Sequence, residues 1–490
     1  MIFGPRRGTT TSQTFWAVDS AYDGTLGAGG TLGVSVYQNG AEIPGSPFSG
    51  DTLAAGTNMT GTVTATGLTA RTQYTYQMRL AGADVAGKAG KFTTKPAAGQ
   101  DADLMFIVCA AEAHPCYAKL YGEFAHAVFN SESGYLDSQG SGFDYASAPA
   151  PLTSALPLVG TETTTSSYMT SDDFLAWRDA FRLRHRGVLS LRQTTQINKW
   201  KRMFYRNHPM RFGWDNHEMK TSAGSTVTAP GQSRFDGAMR AAWEYYFQGN
   251  PDHAHVTDPS LSNDALPTRD GTNFFATYFA ETIGDVEVIV TDHMAYSDMT
   301  ASLDAIRTFD NAGRGGNDQF TWLKARITAS TAKFLIIFAP RGYQIGAGEW
   351  ENTSTGLLAA LGNKNQTIVV VSGDLHRPFA RTITKTSAAG ATLTRPVFEV
   401  GPGALRAISV KTLDDITGGQ TVHHNPVGGA NTAFDGVYTA AGRDACTWSY
   451  LKVESRPNAP GGALLALKLT NPLTGVVNYS ANIREGNRVP

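Results

Sequence analysis

Cysteine is almost missing from this chain: 490 residues carry three thiols, Cys109, Cys116 and Cys446. An odd, sparse set cannot form the disulfide framework of a chain this long, and the Cys109 and Cys116 spacing does not make the short CxxC element of a zinc site. Charge is equally scarce and balanced, with 41 Lys plus Arg against 42 Asp plus Glu and a formal net charge of −1. Such a chain projects no overall field toward nucleic acid or an anionic membrane, and it carries no nucleic-acid-binding signature. No apolar run is long enough to span a bilayer, which predicts a soluble protein. Arg6 and Arg7 near the start suggest a twin-arginine export signal, but no apolar h-region follows them, so the segment reads as mature sequence. The compartment stays open among cytoplasmic, virion-associated and processed secreted forms. There is no internal repeat and no low-complexity tract. Also missing are a GxxxxGK[ST] phosphate loop and a GxSxG nucleophile elbow, and HEMKT (217–221) lacks the second His of a zinc protease.

Hydrophobic residues make up 41% of the chain, enough for a large core, and the length predicts more than one folding unit. Up to about Pro96 the sequence is rich in Gly, Thr and Ala, and short β-type runs (TFWAV, TLGVSVY, QYTYQMRL) alternate with turn formers. Tyr74, Tyr76, Met78 and Leu80 alternate onto one face, as a half-buried strand requires. Leu68 and Tyr74 in GLTARTQY resemble the tyrosine corner of immunoglobulin-like and fibronectin-type sandwiches. KPAAGQDAD (95–103) has linker composition, and helical patterns begin after it. One is SDDFLAWRDAFRLRHR, with Ser171 as cap and Phe174, Trp177 and Phe181 on one side. Another is NDQFTWLKARI, with Asn317 as cap and Phe320, Leu323 and Ile327 on the buried stripe. The stretch GGALLALKLTNPLTGVVNYSANI predicts two strands around a turn at Asn471 and Pro472. The expected organisation is α+β: an immunoglobulin- or fibronectin-like β-sandwich over 1–96, then an α/β sandwich of mixed sheets flanked by helices over 97–490.

The chemistry is expected where apolar β-runs end. LMFIV leads into Cys109, and MRFGW into Asp215, Asn216, His217 and Glu218. VEVIVT leads into Asp292 and His293, FLIIF precedes Arg341, and TIVVVSG delivers Asp374, His376 and Arg377. Asp and Asn are common turn formers after any strand, so a single ending carries little weight. Five such endings predict a convergent cluster on a rigid core. Carboxylate and amide oxygens, imidazole and a thiolate together suit hard or borderline cations that neutralise a phosphoryl group, which points to phosphoester hydrolysis.

WDNHE (214–218) resembles the WDDHE segment of PhoD-like phosphatases, and VVSGDLHRP (370–378) resembles their SGDVH segment. IVCAAEA around Cys109 and NDQFTWLKARITASTAKFLII are similar to their strand-then-cysteine and QxxWL elements, in the same order across most of 101–490. The resemblance implies a metallophosphatase fold acting as a phosphomonoesterase or phosphodiesterase, with divalent metal, calcium together with iron being the family's habit. It makes Cys109, Asn216, Asp374 and His376 metal-ligand candidates and gives His217 the phosphate contact or leaving-group protonation. Asp215 and Glu218 would ligate or orient ligating histidines. Arg377 would balance phosphate charge, or else serve as a surface ion-pair partner. Without the resemblance, Cys109 reads as an ordinary buried thiol. Asp292 and His293 stand where the family has a DxR-type segment, without its Arg. His208, His423 and His424 fit no pattern and default to loop or core.

One segment departs. The family's GDxIYE-like element supplies a bridging Asp and a Tyr, and its counterpart NSESGYLDSQ places Gly134 at the Asp and Asp137 near the Tyr. Asp137 or Asp144 from a shifted loop would then replace the bridge, and Asp137 joins the candidate metal set. Losing a shared anion between two cations would alter their occupancy. The competing expectation is a structural or adhesive protein of a virion or cell surface that keeps the fold with a degenerate site, assembled as an oligomer or particle.

Overall fold

The computed structural model describes residues 1–20, 26–110, 116–131, 196–213, 240–248, 277–292, 319–339, 366–373, 378–385, 392–406, 420–424, 449–487 and 489–490, with single positions 178, 181, 182, 185, 237 and 361. The N-terminal portion is a sandwich of two antiparallel sheets. One contains β1 (Ile2–Gly8), β2 (Ser12–Val18) and β6 (Thr60–Thr66), in the order β1-β2-β6. The other contains β3 (Gly30–Gln38), β4 (Ala41–Glu42), β5 (Phe48–Leu53), β7 (Gln73–Leu80) and β8 (Ala83–Thr93), with β3 and β7 at its centre. The alternation expected for QYTYQMRL is present: Tyr74, Tyr76 and Met78 are buried and pack with Phe3, Phe15 and Phe92. The Tyr74 hydroxyl accepts the backbone N–H of Thr69 at 2.9 Å, so the aromatic ring enters the core with its polar end satisfied.

The sheet carrying β2 is buried on both faces, which alternation explains. Phe15 and Ala17 point into the sandwich, whereas Trp16 and Val18 point out into a second core that includes Met105, Ile107, Tyr117 and Phe204. The Trp16 indole N–H donates to the Glu244 carbonyl at 2.7 Å. Arg6, in β1, is buried between the Trp16 and Phe212 rings at 4.8 and 4.6 Å and donates to the Tyr245 carbonyl. A desolvated guanidinium prefers such ring faces when it lacks a carboxylate. Burial pulls the Arg6 pKa down to about 9. Thus the arginine pair that suggested a signal lies in a strand of the fold, with Arg6 in its core. Tyr76 spans the same junction, its hydroxyl donating to the Arg206 carbonyl at 2.8 Å. Tyr76→Phe is expected to cost about 1 kcal/mol in urea unfolding, because that carbonyl loses its donor in a largely dry setting.

The larger portion stacks two further sheets face to face. The first contains β9 (Ala102–Ala110), β10 (Ala127–Asn130), β11 (Met210–Phe212), β18 (Ala404–Arg406), β20 (Tyr450–Arg456), β21 (Leu464–Thr470) and β22 (Val477–Arg484). Its order is β11-β10-β9-β20-β21-β22, with β18 paired to the far end of β9. The second contains β12 (Phe279–Ile283), β13 (Val286–Val290), β14 (Phe334–Ala339), β15 (Thr367–Ser372), β16 (Pro378–Lys385), β17 (Thr392–Pro402) and β19 (Gln420–His424), in the order β12-β13-β14-β15-β17-β16-β19. Residues of alternate parity separate two environments. In FLIIFA, Phe334, Ile336 and Phe338 meet Phe106 and Phe129 between the sheets, while Leu335, Ile337 and Ala339 face Leu323 and Ile327 of a helix. Being buried on both faces, such strands read as continuous apolar runs.

Helices close both outer faces. On the first sheet lie α1 (Cys116–Gly122), α2 (Gln196–Asn207) and a π-helical turn (Trp243–Phe247); on the second lies α3 (Gln319–Ala329). The helix expected from NDQFTWLKARI is present, with Leu323 and Ile327 buried as its periodicity predicts. Of the other predicted helix, Arg178, Phe181, Arg182 and His185 are described, all four helical and buried. The strands predicted around Asn471 and Pro472 are β21 and β22. Among the described residues no helix is long and apolar enough to cross a membrane.

Candidate functional site

Strand direction decides where loops gather. β9, β10 and β11 run parallel, with Ile107, Asn130 and Phe212 level with one another. β13, β14, β15 and β17 also run parallel, with Val290 beside Phe338 and Ala339 beside Ser372. The Gly373 N–H donates to the Ala339 carbonyl and the Thr291 N–H to the Phe338 carbonyl, so these ends stay in register to the last residue. One chain crossing relates the two sheets. β17 ends at Pro402, and a single residue later β18 begins alongside Val108 to Ala110 of β9, running in the same direction. The linking Gly403 has φ of +77°, a conformation that only glycine adopts without strain. The carboxyl ends of both parallel sets therefore lie at the same edge of the sandwich, where open α/β sheets place their ligands.

Every predicted strand ending falls at that edge. Cys109 is the penultimate residue of β9. β11 stops one residue before Gly213 and two before WDNHE, and β15 ends at Ser372 ahead of Gly373 and GDLH. Asp215, Asn216, His217, Glu218, His293, Arg341, Asp374, His376 and Arg377 lie outside the described residues, as do Gly134, Asp137 and Asp144. Asp292 is described and fully buried, and its carboxylate accepts the Thr277 hydroxyl. Among the described residues there is no group of three or more His, Cys, Asp or Glu side chains that could hold a metal ion.

Buried ion pairs stand behind these endings, and no local motif signals them. Behind GDLH, the Ser372 hydroxyl donates to Glu399 at 2.6 Å, and the same carboxylate takes Arg381 Nε at 2.6 Å. All three side chains are buried, so β15 is tied to β16 and β17 just before it leaves the sheet. Behind WDNHE, Arg211 of β11 holds Glu281 of β12 through two bonds, Nε at 2.5 Å and a terminal nitrogen at 2.7 Å, and also donates to the Arg6 carbonyl. Lys95 completes the group at 2.5 Å from Glu281. Burial would raise the Glu281 pKa, but Arg211 and Lys95 outweigh it and hold the carboxyl at about 2.

The remaining candidates are not at this edge chemistry. His208 is a core residue, its ring nitrogens 2.9 Å from the Phe204 carbonyl and 2.8 Å from that of Glu123. His423 is exposed on β19 and shares a hydrogen bond with Thr382. Cys116 is buried in α1 and desolvation pushes its thiol pKa up, which makes it inert. Two polar side chains at the edge had no place in the expected set: Asn130 and Ser131, at and just beyond the end of β10, are buried. Among the described residues, neither Asn130 Oδ1 nor Ser131 Oγ has a hydrogen-bond partner.

Solved structures share this architecture. One described as the structure of PhoD superposes with a TM-score of 0.62 at 15% identity, over 99% of this chain and 90% of its own. The purple acid phosphatase PPD1 from yellow lupin (Lupinus luteus) seeds gives a TM-score of 0.54 at 12% identity, over 98% of this chain and 74% of its own. The chain thus has a metallophosphatase fold with a sandwich-like N-terminal portion. No family model and no curated protein matches the sequence.

Proposed function

We propose that this protein is a metal-dependent phosphoester hydrolase whose active site lies at the shared edge of the two parallel strand sets. The observation that carries the proposal is the crossing at Pro402–Ala404, which brings the end of β9, with Cys109, to the edge from which β15 leads into GDLH. WDNHE leaves the same edge two strands away from β9. The donor set of this reading is Cys109, Asp215, Asn216, Asp374 and His376, a mixture of thiolate, oxygen and imidazole that fits a divalent cation. Partnerless buried oxygens of Asn130 and Ser131 at that edge support the fit. When bound, such a cation would polarise the phosphoryl group and lower the pKa of the attacking water. His217 would protonate the leaving oxygen, and Arg377 would hold the phosphate through paired N–H donors.

The end of β10 also revises the departure in NSESGYLDSQ. Counted from the strand's last residue, Asn130, the residues Ser131 and Glu132 come first, and Glu132 and Tyr135 have the three-residue interval of Asp and Tyr in GDxIYE. Glu132 in this reading takes the bridging role in place of Asp137, and Gly134 is a spacer. Residues 1–96 would form a unit that braces the hydrolase unit, 97–490, through Arg6, Trp16 and Tyr76.

The test is hydrolysis of aryl phosphate mono- and diesters by protein supplemented with manganese, zinc, or iron plus calcium. Turnover is expected, and His217→Ala should lower kcat by about 100-fold, the lower end of general-acid contributions. Equal rates for wild type and variant under every metal condition would count against the site.

A further inference from the structure

Outside the proposed donor set, the end of β10 carries two buried polar atoms at the candidate edge. Asn130 is 1% exposed, and its backbone is fully used: its carbonyl accepts the Gly213 N–H at 2.8 Å, within a strand paired on both sides. The Nδ2 group lies 3.4 Å from the Tyr205 hydroxyl, which fixes the amide with Oδ1 directed elsewhere. Oδ1 has no partner. Ser131 repeats the pattern: it is fully buried, its N–H donates to the Ile107 carbonyl at 3.1 Å, and its hydroxyl oxygen has no partner.

Leaving an amide oxygen dry and unbonded is unfavourable, so native proteins supply such an atom with a donor or a cation. An amide oxygen can only accept, so it calls for a donor or a cation. A divalent cation meets that need, since hard cations take amide carbonyl oxygens alongside carboxylates. The position is apt, because Asn130 is paired with Ile107, two residues before Cys109, and with Phe212, three before Asp215.

We propose that Asn130 Oδ1 is a neutral oxygen ligand of the divalent cation, with the Ser131 hydroxyl supplying a second polar contact in the same crevice. This assignment rests on the hydrolase reading above and deepens it. A neutral donor adds coordination without adding negative charge, so the cation keeps more of its positive charge for the phosphoryl group.

The experiment is equilibrium dialysis of the full chain against Mn²⁺, with the bound metal per chain counted by elemental analysis. Asn130→Leu should weaken the Mn²⁺ Kd by about tenfold or more, and Asn130→Asp should tighten it by a similar factor. Tyr205→Phe removes the amide's hydrogen bond and leaves Oδ1 in place, so its Kd should stay within about twofold of wild type. A purely structural Asn130 predicts the reverse: Asn130→Asp no tighter than wild type, and no gap between the Leu variant and Tyr205→Phe. Should Asn130→Leu fail to fold, Asn130→Asp decides by itself. Wild type that binds Mn²⁺ with both Asn130 variants unchanged overturns this assignment alone. Wild type that binds no Mn²⁺ overturns the metal-dependent reading together with it.

Discussion

Glu281→Ala is expected to destabilise the fold by about 3–5 kcal/mol, the usual cost of removing one partner from a buried charge group. The carboxylate is 4% exposed and serves two cations, Arg211 with two bonds and Lys95 with one. Its removal leaves a guanidinium that is 1% exposed facing a desolvated ammonium, with no anion between them. Urea unfolding monitored by tryptophan fluorescence reads the loss. Glu281→Gln should recover only part of it, since an amide keeps the shape and accepts a hydrogen bond but provides no charge. A second consequence separates this group from an ordinary stability element. Arg211 lies three residues before Trp214 and also holds the Arg6 carbonyl of β1, so loosening it frees β11 just ahead of WDNHE. Loss of aryl phosphate hydrolysis should therefore exceed the fraction of chain unfolded. A triple replacement of Lys95, Arg211 and Glu281 by apolar residues of similar volume should restore much of the stability, because no charge then stays buried without a partner. If Glu281→Ala loses less than about 1 kcal/mol, the charges are better hydrated than their burial implies and the bracing role falls.

The strands and α3 were readable because periodicity reports burial directly. QYTYQMRL alternates since β7 has one wet face, and LMFIV, FLIIF and TIVVV run apolar since β9, β14 and β15 have none. The edge proposed for the site was readable for a related reason: the apolar runs stop there, and polar residues follow them in the sequence. The sequence hid what depends on distant pairing. Nothing local links Lys95, Arg211 and Glu281, or joins Ser372 to Arg381 through Glu399, since strand order brings them together only after the sheets form. The environment of Arg6 was hidden for the same reason, since it consists of two rings contributed from positions 16 and 212. Asn130 escaped notice because NSES reads as a turn, and only pairing on both sides shows it to be the last residue of a central strand.

Acid should weaken this protein earlier than its carboxylates would predict, through His126. Its ring is 1% exposed, and Nδ1 accepts the backbone N–H of Asp103 at 3.0 Å, while the backbone N–H of His126 donates to the Asp103 carbonyl at 2.8 Å. That clamp joins the start of β9 to the approach to β10, and it requires a neutral ring with Nδ1 unprotonated. Burial lowers the pKa to about 4, with the nearby Asp103 carboxylate opposing only in part. The unfolded chain takes up this proton near pH 6.5 and the folded one only near 4, so the unfolded state binds more protons across that window. Stability is therefore fully present above about pH 6.5 and falls as the pH drops, by about 2 kcal/mol at pH 5 and about 3 kcal/mol at pH 4. Glu281 enters later, because its contribution is present above about pH 4.5 and is lost toward its folded pKa of about 2. His126→Asn separates the two: Asn offers an oxygen acceptor to the Asp103 N–H without titrating. Urea midpoints measured from pH 7.5 to 4 should fall steeply in wild type and much less in the variant. Parallel curves over that range would mean that His126 titrates alike in the folded and unfolded chain, and the acid sensitivity assigned to it falls.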